Sequence, residues 1–252
     1  MLLENKNAVI YGGGGAVGGA VARAFAREGA RVFLTGRSRT SLDRVADDIR
    51  AAGGTVDVAE VDALDERAVN EHADAMVAAA GGVDVSFNAI THGDVQGTPM
   101  HEMSLGDFER PVVTAVRTTF LTWTAAARHM VRQGTGGVIL AFGGSGHPLP
   151  GYHLGGLQVA FEAIESMRRQ LSSELGRHGV RVVTIRTGGV PDSIPEGFEG
   201  REAIEKGITD LTMLGRAATF SDVGDVAAFV ASDRARSMTA ATVNISCGAL
   251  ID

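Results

Sequence analysis

The sequence predicts an α/β fold built on one doubly wound, mostly parallel sheet of seven strands, with helices on both faces. Short apolar runs alternate with helical patterns along the 252 residues, and a run of glycines joins the first apolar run to the first helix. Strands that are buried on both faces read as nearly unbroken apolar runs, as these do. No linker, low-complexity segment or internal repeat interrupts the pattern, so we expect a single domain over residues 1–252.

The element boundaries follow from where the apolar runs and helical patterns start and stop. The predicted strands are Ala8–Ile10, Arg31–Leu34, Thr55–Val61, Val83–Phe87, Val138–Phe142, Val180–Ile185 and Thr242–Ile245. After the first helix, the predicted helices are Ser41–Ala52, Glu66–Ala80, Ser104–Arg132 and a long helix that ends near His178. Pro111 is expected to mark a kink or boundary, and Ser221 to cap the last helix.

The segment Asn7–Glu28 combines a short strand, a glycine run and an amphipathic helix. The first N–H groups of such a helix are free, and its dipole favours an anion at that end. Two spacings of the glycine motif are possible, namely Gly13–Gly15–Gly18 and Gly12–Ala16–Gly18. A flexible loop is the alternative, but the strand before the glycines and the helix after them favour a Rossmann-like site for dinucleotide phosphates.

The residues after the second strand indicate which dinucleotide is bound. In such folds an acidic residue at this place binds the ribose 2′-OH. Here Gly36 occupies the place, Arg37 follows it, and Arg39 lies close behind. An arginine suits a 2′-phosphate, and the missing carboxylate removes a source of repulsion. A solvated surface arginine is the alternative, but with the glycine turn upstream we favour NADP(H) over NAD(H).

Composition limits the classes of partner. The formal net charge of −7 argues against nucleic acid and anionic membranes, which both need a basic surface. A single cysteine, Cys247, excludes an internal disulfide and suits a reducing compartment. No apolar run is long enough to span a membrane, and the first strand starts too early to leave room for a signal peptide. No cluster has the spacing of a metal site. We therefore expect a cytoplasmic protein that binds a small-molecule substrate.

Motifs along essentially the whole chain resemble those of the short-chain dehydrogenase/reductase family. The segment Tyr11–Gly18 is similar to the family's T-G-x-x-x-G-x-G, and Phe87–Ile90 keeps half of its N-N-A-G. Further similar segments are Asp62–Ala63, Glu174–Val182, Thr187–Gly188, Leu214–Arg216, Asp225–Ala227, Ser232–Asp233 and Thr239–Gly248.

The resemblance implies a cofactor site and an assembly. The implied cofactor-binding residues are Gly12, Gly14, Gly15, Ala16, Val17, Gly18, Arg37, Ser38, Asp62, Ala63, Asn88, Ala89, Ile90, Gly188 and Val190. The family forms dimers or tetramers through two long helices, so Val116–Met130 and Ala160–Leu175 imply a homodimer or homotetramer. The segment Pro191–Asp210 resembles the family's substrate lid. In it Ser193 stands near the place of a threonine that contacts the nicotinamide amide, although Asp192 matches in strict register.

The family's proton-transfer residues are missing at the matching positions. The family uses a tyrosine as proton donor or acceptor, a lysine one turn later, and an asparagine in the preceding long helix. Those three positions fall on Leu157, Phe161 and Ala115. The register of the enoyl reductase branch gives Leu154 and again Phe161. The family's substrate-binding serine falls on Gly144 or Ser145.

Other polar residues near the same strand end are candidates for the missing function. The loop after the fifth strand contains Ser145, His147, Tyr152 and His153, and we take these four as candidate catalytic residues. Each histidine alone reads as a loop residue, and Tyr152 alone reads as a packed aromatic; their grouping on one loop is what favours a role. His92, just after the fourth strand, is also expected to border the cleft.

Three functions are consistent with these observations. The first is an NADP(H)-dependent oxidoreductase with a non-standard proton donor, which reduces a carbonyl or C=C bond or oxidises an alcohol on a small hydrophobic metabolite. The second is a catalytically silent protein that binds NADP(H) for a regulatory purpose, since all three proton-transfer residues are replaced. The third is non-redox chemistry in the same cleft, which no residue singles out.

Overall fold

The computed structural model describes residues 1–144 and 152–251. In these ranges seven strands form one sheet in the order β3-β2-β1-β4-β5-β6-β7, and every neighbouring pair is parallel. The strands are β1 Asn7–Tyr11, β2 Arg31–Gly36, β3 Thr55–Glu60, β4 Val85–Asn88, β5 Gly137–Gly143, β6 Val180–Arg186 and β7 Ala241–Asn244. The predicted doubly wound parallel sheet is confirmed.

Helices cover both faces of this sheet. They are α1 Ala16–Arg27, α2 Arg39–Ala51, α3 Glu66–Ala80, α4 Leu105–Gln133, α5 Gly156–Leu175, α6 Arg201–Asp210 and α7 Phe220–Ala231. Alternate residues of β1 point into two cores: Ala8 and Ile10 pack with α1, α2 and α7, whereas Val9 and Tyr11 pack with α3, α4 and α5. This alternation is the period of a strand buried on both faces.

The strand order places the site. β1 lies between β2 and β4, so the chain winds in opposite directions on either side of it. In open α/β sheets ligands bind outside the carboxyl ends of the strands at such a point. The loops after β1 and β4 therefore frame the expected cleft.

The structure corrects the cap of the last helix and one of the two alternatives at Pro111. Thr219, not Ser221, caps α7: its hydroxyl accepts a hydrogen bond from the Asp222 N–H, and the Asp222 carboxylate accepts one from the Thr219 N–H. This reciprocal pair satisfies two N–H groups, whereas Ser221 already lies inside the first turn. At Pro111 no helix boundary is present, because α4 is continuous through that residue, and the kink expected as the alternative stays a prediction.

A buried ion pair fixes α5 to the far edge of the sheet. Arg168, 5% exposed, donates two hydrogen bonds to Oε2 of Glu165 at 2.7 and 3.2 Å. The Thr242 hydroxyl of β7 donates a third to the same oxygen at 2.6 Å. Burial opposes ionisation of Glu165, but the hydrogen bonds from Arg168 and Thr242 outweigh it and hold the pKa of this carboxyl below its usual value.

Replacing Arg168 alone should lower the free energy of unfolding more than replacing both Arg168 and Glu165. We expect Arg168→Met to lower the free energy of unfolding by about 3–5 kcal/mol, because it leaves a half-buried carboxylate without its positive partner. The double variant Glu165→Gln/Arg168→Met should lose clearly less. Urea denaturation of wild type, both single variants and the double variant measures these differences.

The pH dependence of the same pair has a defined sign. Because the pKa of Glu165 is lowered in the folded state, its carboxylate stabilises the fold above the unfolded-state value, about 4.3. That stabilisation is lost as pH falls through the lowered value. The stability gap between wild type and Glu165→Gln should therefore shrink on acidification, and a gap that widens would contradict the assignment.

Candidate cofactor and active site

The glycine turn between β1 and α1 is built by backbone packed on backbone. Gly12 has a left-handed φ of +79°, and a Cβ added there would lie 2.7 Å from the carbonyl oxygen of Ala89. A Cβ on Gly18 would collide with the carbonyl oxygen of Gly12. The backbone contact that closes the turn thus joins Gly12 and Gly18, the first and last residues of the predicted Gly12–Ala16–Gly18 spacing. A pyrophosphate can bind here because glycine residues, which have no side chain, let it come close to the backbone N–H groups.

A cleft of about 550 Å³ runs along the carboxyl ends of β1 to β4. Across the sheet its lining residues are Asp62–Leu64 after β3, Arg37 and Ser38 after β2, the glycine turn after β1, and Ile90–Gly93 after β4. Its course over the N-terminus of α1 matches the place where open α/β sheets bind a dinucleotide. The residues present therefore fit NAD(P) as a group to be bound.

Many of the predicted cofactor-binding residues line this cleft. They are Gly12, Gly14, Gly15, Arg37, Ser38, Asp62, Ala63, Ala89 and Ile90. Ala16, Val17 and Gly18 form the first turn of α1 beneath it. Asn88 is buried and supports the loop, since its side-chain nitrogen donates to the Thr122 hydroxyl at 3.1 Å and its oxygen accepts the Ile90 N–H at 3.0 Å. Gly188 and Val190 follow β6 and are not part of the cleft wall.

The end of the cleft beside β2 carries one exposed guanidinium. Arg37 lines the cleft with its neighbour Ser38, the N-cap of α2, whose hydroxyl is 2.9 Å from that of Ser41. Arg39 is held elsewhere, because Asp43 accepts two hydrogen bonds from its Nε at 2.8 and 2.9 Å. Of the two arginines noted in the sequence, only Arg37 thus faces the cleft. It can bind an anionic group with help from hydroxyls.

Several lining residues were missed by sequence reasoning. They are Thr35, Ser41, Leu42, Val61, Leu64, Thr91, Gly93, Arg110, Thr114 and Thr118. Thr114 and Thr118 are four residues apart on α4 and therefore share one helix face. That spacing could have indicated a polar helix face that borders the cleft. Arg110, one turn earlier on α4, donates to the Gly93 carbonyl at 3.4 Å and to Asp107 at 2.9 Å.

The positions matched to the family's proton-transfer residues carry apolar side chains, and none of the three lines the cleft. Ala115 and Leu157 are buried, and the half-buried ring of Phe161 covers Gly144 so closely that a Cβ there would collide with it. If the family's serine position falls on Gly144, Phe161 already fills the space of its side chain. The His92 ring packs edge-to-face on Phe161, with centroids 6.3 Å apart at 68°.

The comparisons with known proteins agree with this geometry. The family model described as enoyl-(acyl carrier protein) reductase matches residues 14–249. The chain belongs to the short-chain dehydrogenase/reductase family.

Relatives in this family match over nearly their whole length. L-rhamnose 1-dehydrogenase (NAD(P)(+)) of Azotobacter vinelandii is 29% identical over 100% of this chain and 99% of its own. The (−)-isopiperitenol/(−)-carveol dehydrogenase of Mentha piperita is 31% identical over 94% of this chain and 90% of its own. A crystal structure of a short-chain dehydrogenase/reductase from Mycobacterium marinum superposes with a TM-score of 0.88 at 27% identity, covering 99% of this chain and 97% of that one. Oxidoreductases of this family act on small metabolites with NAD(P) cofactors.

The structure does not bring the described loop candidates to the cleft. Ser145 and His147 lie outside the described residues. The Tyr152 carbonyl accepts the Gly97 N–H at 3.2 Å, and a Cβ on Gly207 of α6 would be 3.8 Å from the Tyr152 hydroxyl. His153 is exposed and has a left-handed φ of 48°. Tyr152 thus lies close to α6, in the segment predicted as a substrate lid, and is not among the residues that line the cleft.

The first residues of that segment form hydrogen bonds with neighbouring backbone groups. The Asp192 carboxylate accepts the N–H of Phe220 at the start of α7 at 3.0 Å, and the Ser193 hydroxyl donates to the Val190 carbonyl at 2.7 Å. Ile208 of α6 packs on Gly189, whose φ is +132°. Neither Asp192 nor Ser193 is part of the cleft wall, so contact with a nicotinamide amide stays a prediction.

Burial shifts the titration of two cleft residues. It raises the pKa of Tyr11 well above the ordinary value of a phenol. It lowers the pKa of His92, although the Asp94 carboxylate opposes the shift. Within residues 1–144 and 152–251 no group of His, Cys, Asp or Glu is arranged to hold a metal ion. None of the helices described there has both the length and the apolar character needed to cross a membrane.

The backbone contact in the glycine turn predicts a sharp penalty. Gly18→Ala should lower the free energy of unfolding by about 1–3 kcal/mol and abolish NADPH binding, because the new Cβ must displace the Gly12 carbonyl. Gly176→Ala is the matched control, since φ is −55° there and a Cβ would meet nothing within 4 Å. Thermal denaturation and NADPH fluorescence measure both effects; equal behaviour of the two variants would contradict this structure of the turn.

Proposed function

We propose that this protein is an NADP(H)-dependent oxidoreductase that reduces a carbonyl or C=C bond, or oxidises an alcohol, on a small hydrophobic metabolite. The observation that carries the proposal is the single cleft from Arg37 across the glycine turn to His92. Bound NADP(H) would supply the hydride chemistry. The residues of the chain bind and orient it and exclude water.

Charge at the β2 end of the cleft supports NADP(H) over NAD(H). Arg37 faces this end, and no carboxylate stands at Gly36, where a 2′-OH would need an acceptor. Ser38 and Ser41 add hydroxyls beside the guanidinium. Together they suit a dianionic 2′-phosphate better than a neutral hydroxyl.

The apolar residues at the family's proton-transfer positions support an uncharged, hydrophobic substrate. Leu157 and Phe161 replace the polar pair of the family, and the mint relative named for isopiperitenol and carveol gives a precedent for terpenoid alcohols. Burial of such a substrate stabilises its complex by about 25 cal/mol for each Å² removed from water. We place the protein in the cytoplasm, where its single cysteine stays reduced.

Turnover with a substrate panel tests the proposal. Wild type is mixed with NADPH and a set of cyclic enones, ketones and aldehydes, or with NADP+ and the matching alcohols, and absorbance at the nicotinamide band is followed. Oxidation of NADPH or reduction of NADP+ by at least one substrate is expected. Tight NADPH binding without any turnover would overturn the proposal.

That negative outcome would favour a second function, a catalytically silent NADP(H)-binding protein. The observation behind it is that Ala115, Leu157 and Phe161 are all apolar at the three proton-transfer positions. Such a protein would bind NADPH with the same residues and transfer no hydride. Absence of any dinucleotide binding would exclude both functions.

A variant at Arg37 tests the preference for NADP(H). Arg37→Ala should weaken NADPH binding about 10–100-fold, because hydrogen bonds to a charged group contribute about 1.5–3 kcal/mol. NADH binding should stay within about twofold, since NADH lacks the 2′-phosphate. Arg39→Ala is the control, because Asp43 already holds that guanidinium. Calorimetric titrations measure all three proteins, and equal losses for NADPH and NADH would contradict the role of Arg37.

A second proposal concerns assembly. Val113, Val116 and Phe120 form one exposed apolar stripe on α4, and Val159 adds to it from α5. We infer that these helices pack against a second copy of the chain to form a homodimer or homotetramer, because a monomer would leave this stripe in water.

A charge in the stripe should disrupt the assembly. Phe120→Asp is expected to yield a monomer in sedimentation velocity, because a carboxylate in an apolar interface is left without a partner. Phe198→Asp is a matched control, since Phe198 is also 52% exposed but lies outside the two helices. A wild-type monomer at micromolar concentration would refute the assembly.

A further inference from the structure

The described wall of the cleft contains few groups that can carry a proton. Its titratable side chains are Tyr11, Arg37, Asp62, His92 and Arg110. An arginine stays protonated at any working pH. The Asp62 carboxylate lies after β3 and accepts the Leu64 N–H at 3.0 Å, far along the cleft from its β4 end. Tyr11 is 1% exposed, and its raised pKa disfavours loss of its proton.

His92 lies at the end of the cleft where the reacting ring must be. If the 2′-phosphate lies at Arg37 and the pyrophosphate at the start of α1, the nucleotide continues toward the loop after β4. That loop ends the cleft with Ile90, Thr91 and His92. The imidazole is thus the titratable group of the described wall that combines this position with a proton exchangeable near neutral pH.

The surroundings of His92 hold its ring and keep it uncharged. The ring is 8% exposed and packs edge-to-face on Phe161. The charged groups nearby are Asp94, two residues on, and Arg110, which reaches the Gly93 carbonyl from α4. Burial lowers the pKa of His92 below 6.5 in spite of Asp94, so the imidazole is neutral at pH 7.

We propose that His92 is the proton carrier of the redox reaction, an inference that rests on the proposed function. In alcohol oxidation a free imidazole nitrogen accepts the hydroxyl proton while the carbinol C–H bond breaks and its hydride leaves for NADP+. The products are a carbonyl, an imidazolium and NADPH, so charge and electrons balance. In reduction the imidazolium returns the proton to the carbonyl oxygen.

The first test measures whether His92 lies near the nicotinamide, and it does not require turnover. Protein with ¹⁵N-labelled histidine is titrated with NADPH and, separately, with adenosine 2′,5′-bisphosphate, which lacks the nicotinamide. The imidazole signals of His92, assigned by their loss in His92→Asn, should shift with NADPH and stay in place with the fragment. NADPH binding that leaves these signals unmoved would overturn the inference and leave the cofactor site intact.

The second test reads the chemistry. His92→Asn should lower kcat for alcohol oxidation roughly 10²-fold while the affinity for NADP+ stays within about twofold. Wild-type oxidation should fall as pH drops through the pKa of His92, below 6.5, because the protonated ring cannot accept a proton. The variant should lose this acid limb. His178→Asn is the control, since His178 lies in the short 3₁₀ turn after α5 and is not among the residues that line the cleft.

The outcomes distinguish the role of His92 from the oxidoreductase function. An active wild type with unchanged kcat and an unchanged acid limb in His92→Asn would refute the role of His92 and leave the oxidoreductase standing. A wild type that binds NADPH and turns over nothing would refute the oxidoreductase, and the proton-carrier role would fall with it.

Discussion

The close approach of backbone segments at the glycine turn is the constraint on which the rest of the structure depends. Gly18 sits against the Gly12 carbonyl, and Gly12 sits against the loop after β4. This contact joins the end of β1, the start of α1 and the end of β4 in one place, and so sets the direction of the α1 N-terminus. The cleft exists because the strand order reverses at the same point.

The two ends of the cleft have opposite character, and this contrast frames the chemistry. The β2 end offers a guanidinium and hydroxyls to an anion. The β4 end is lined by His92, and Leu157 and Phe161, which are not lining residues, occupy the positions of the family's polar pair. The Phe161 ring both covers Gly144 and supports His92. Phe161 thus replaces the family's lysine, and the buried imidazole of His92 packs against its ring.

The sequence predicted most of the fold because buried parallel strands and glycine turns have strong local signals. The cap of α7 was misplaced because Thr219 and Ser221 are equally good caps by residue type, and only the reciprocal bond with Asp222 distinguishes them. Cleft residues on α4 were missed because Thr114 and Thr118 reach the cleft through tertiary packing. Tyr152 was grouped with the site by sequence proximity, whereas its contacts turn it toward α6.

A crystal structure of the protein with NADPH would show where the nucleotide binds. We expect pyrophosphate oxygens within hydrogen-bond distance of the first amides of α1, the 2′-phosphate beside Arg37, and the nicotinamide next to His92. Electron density for the nucleotide at another place, or none at the glycine turn under saturating NADPH, would contradict this expectation.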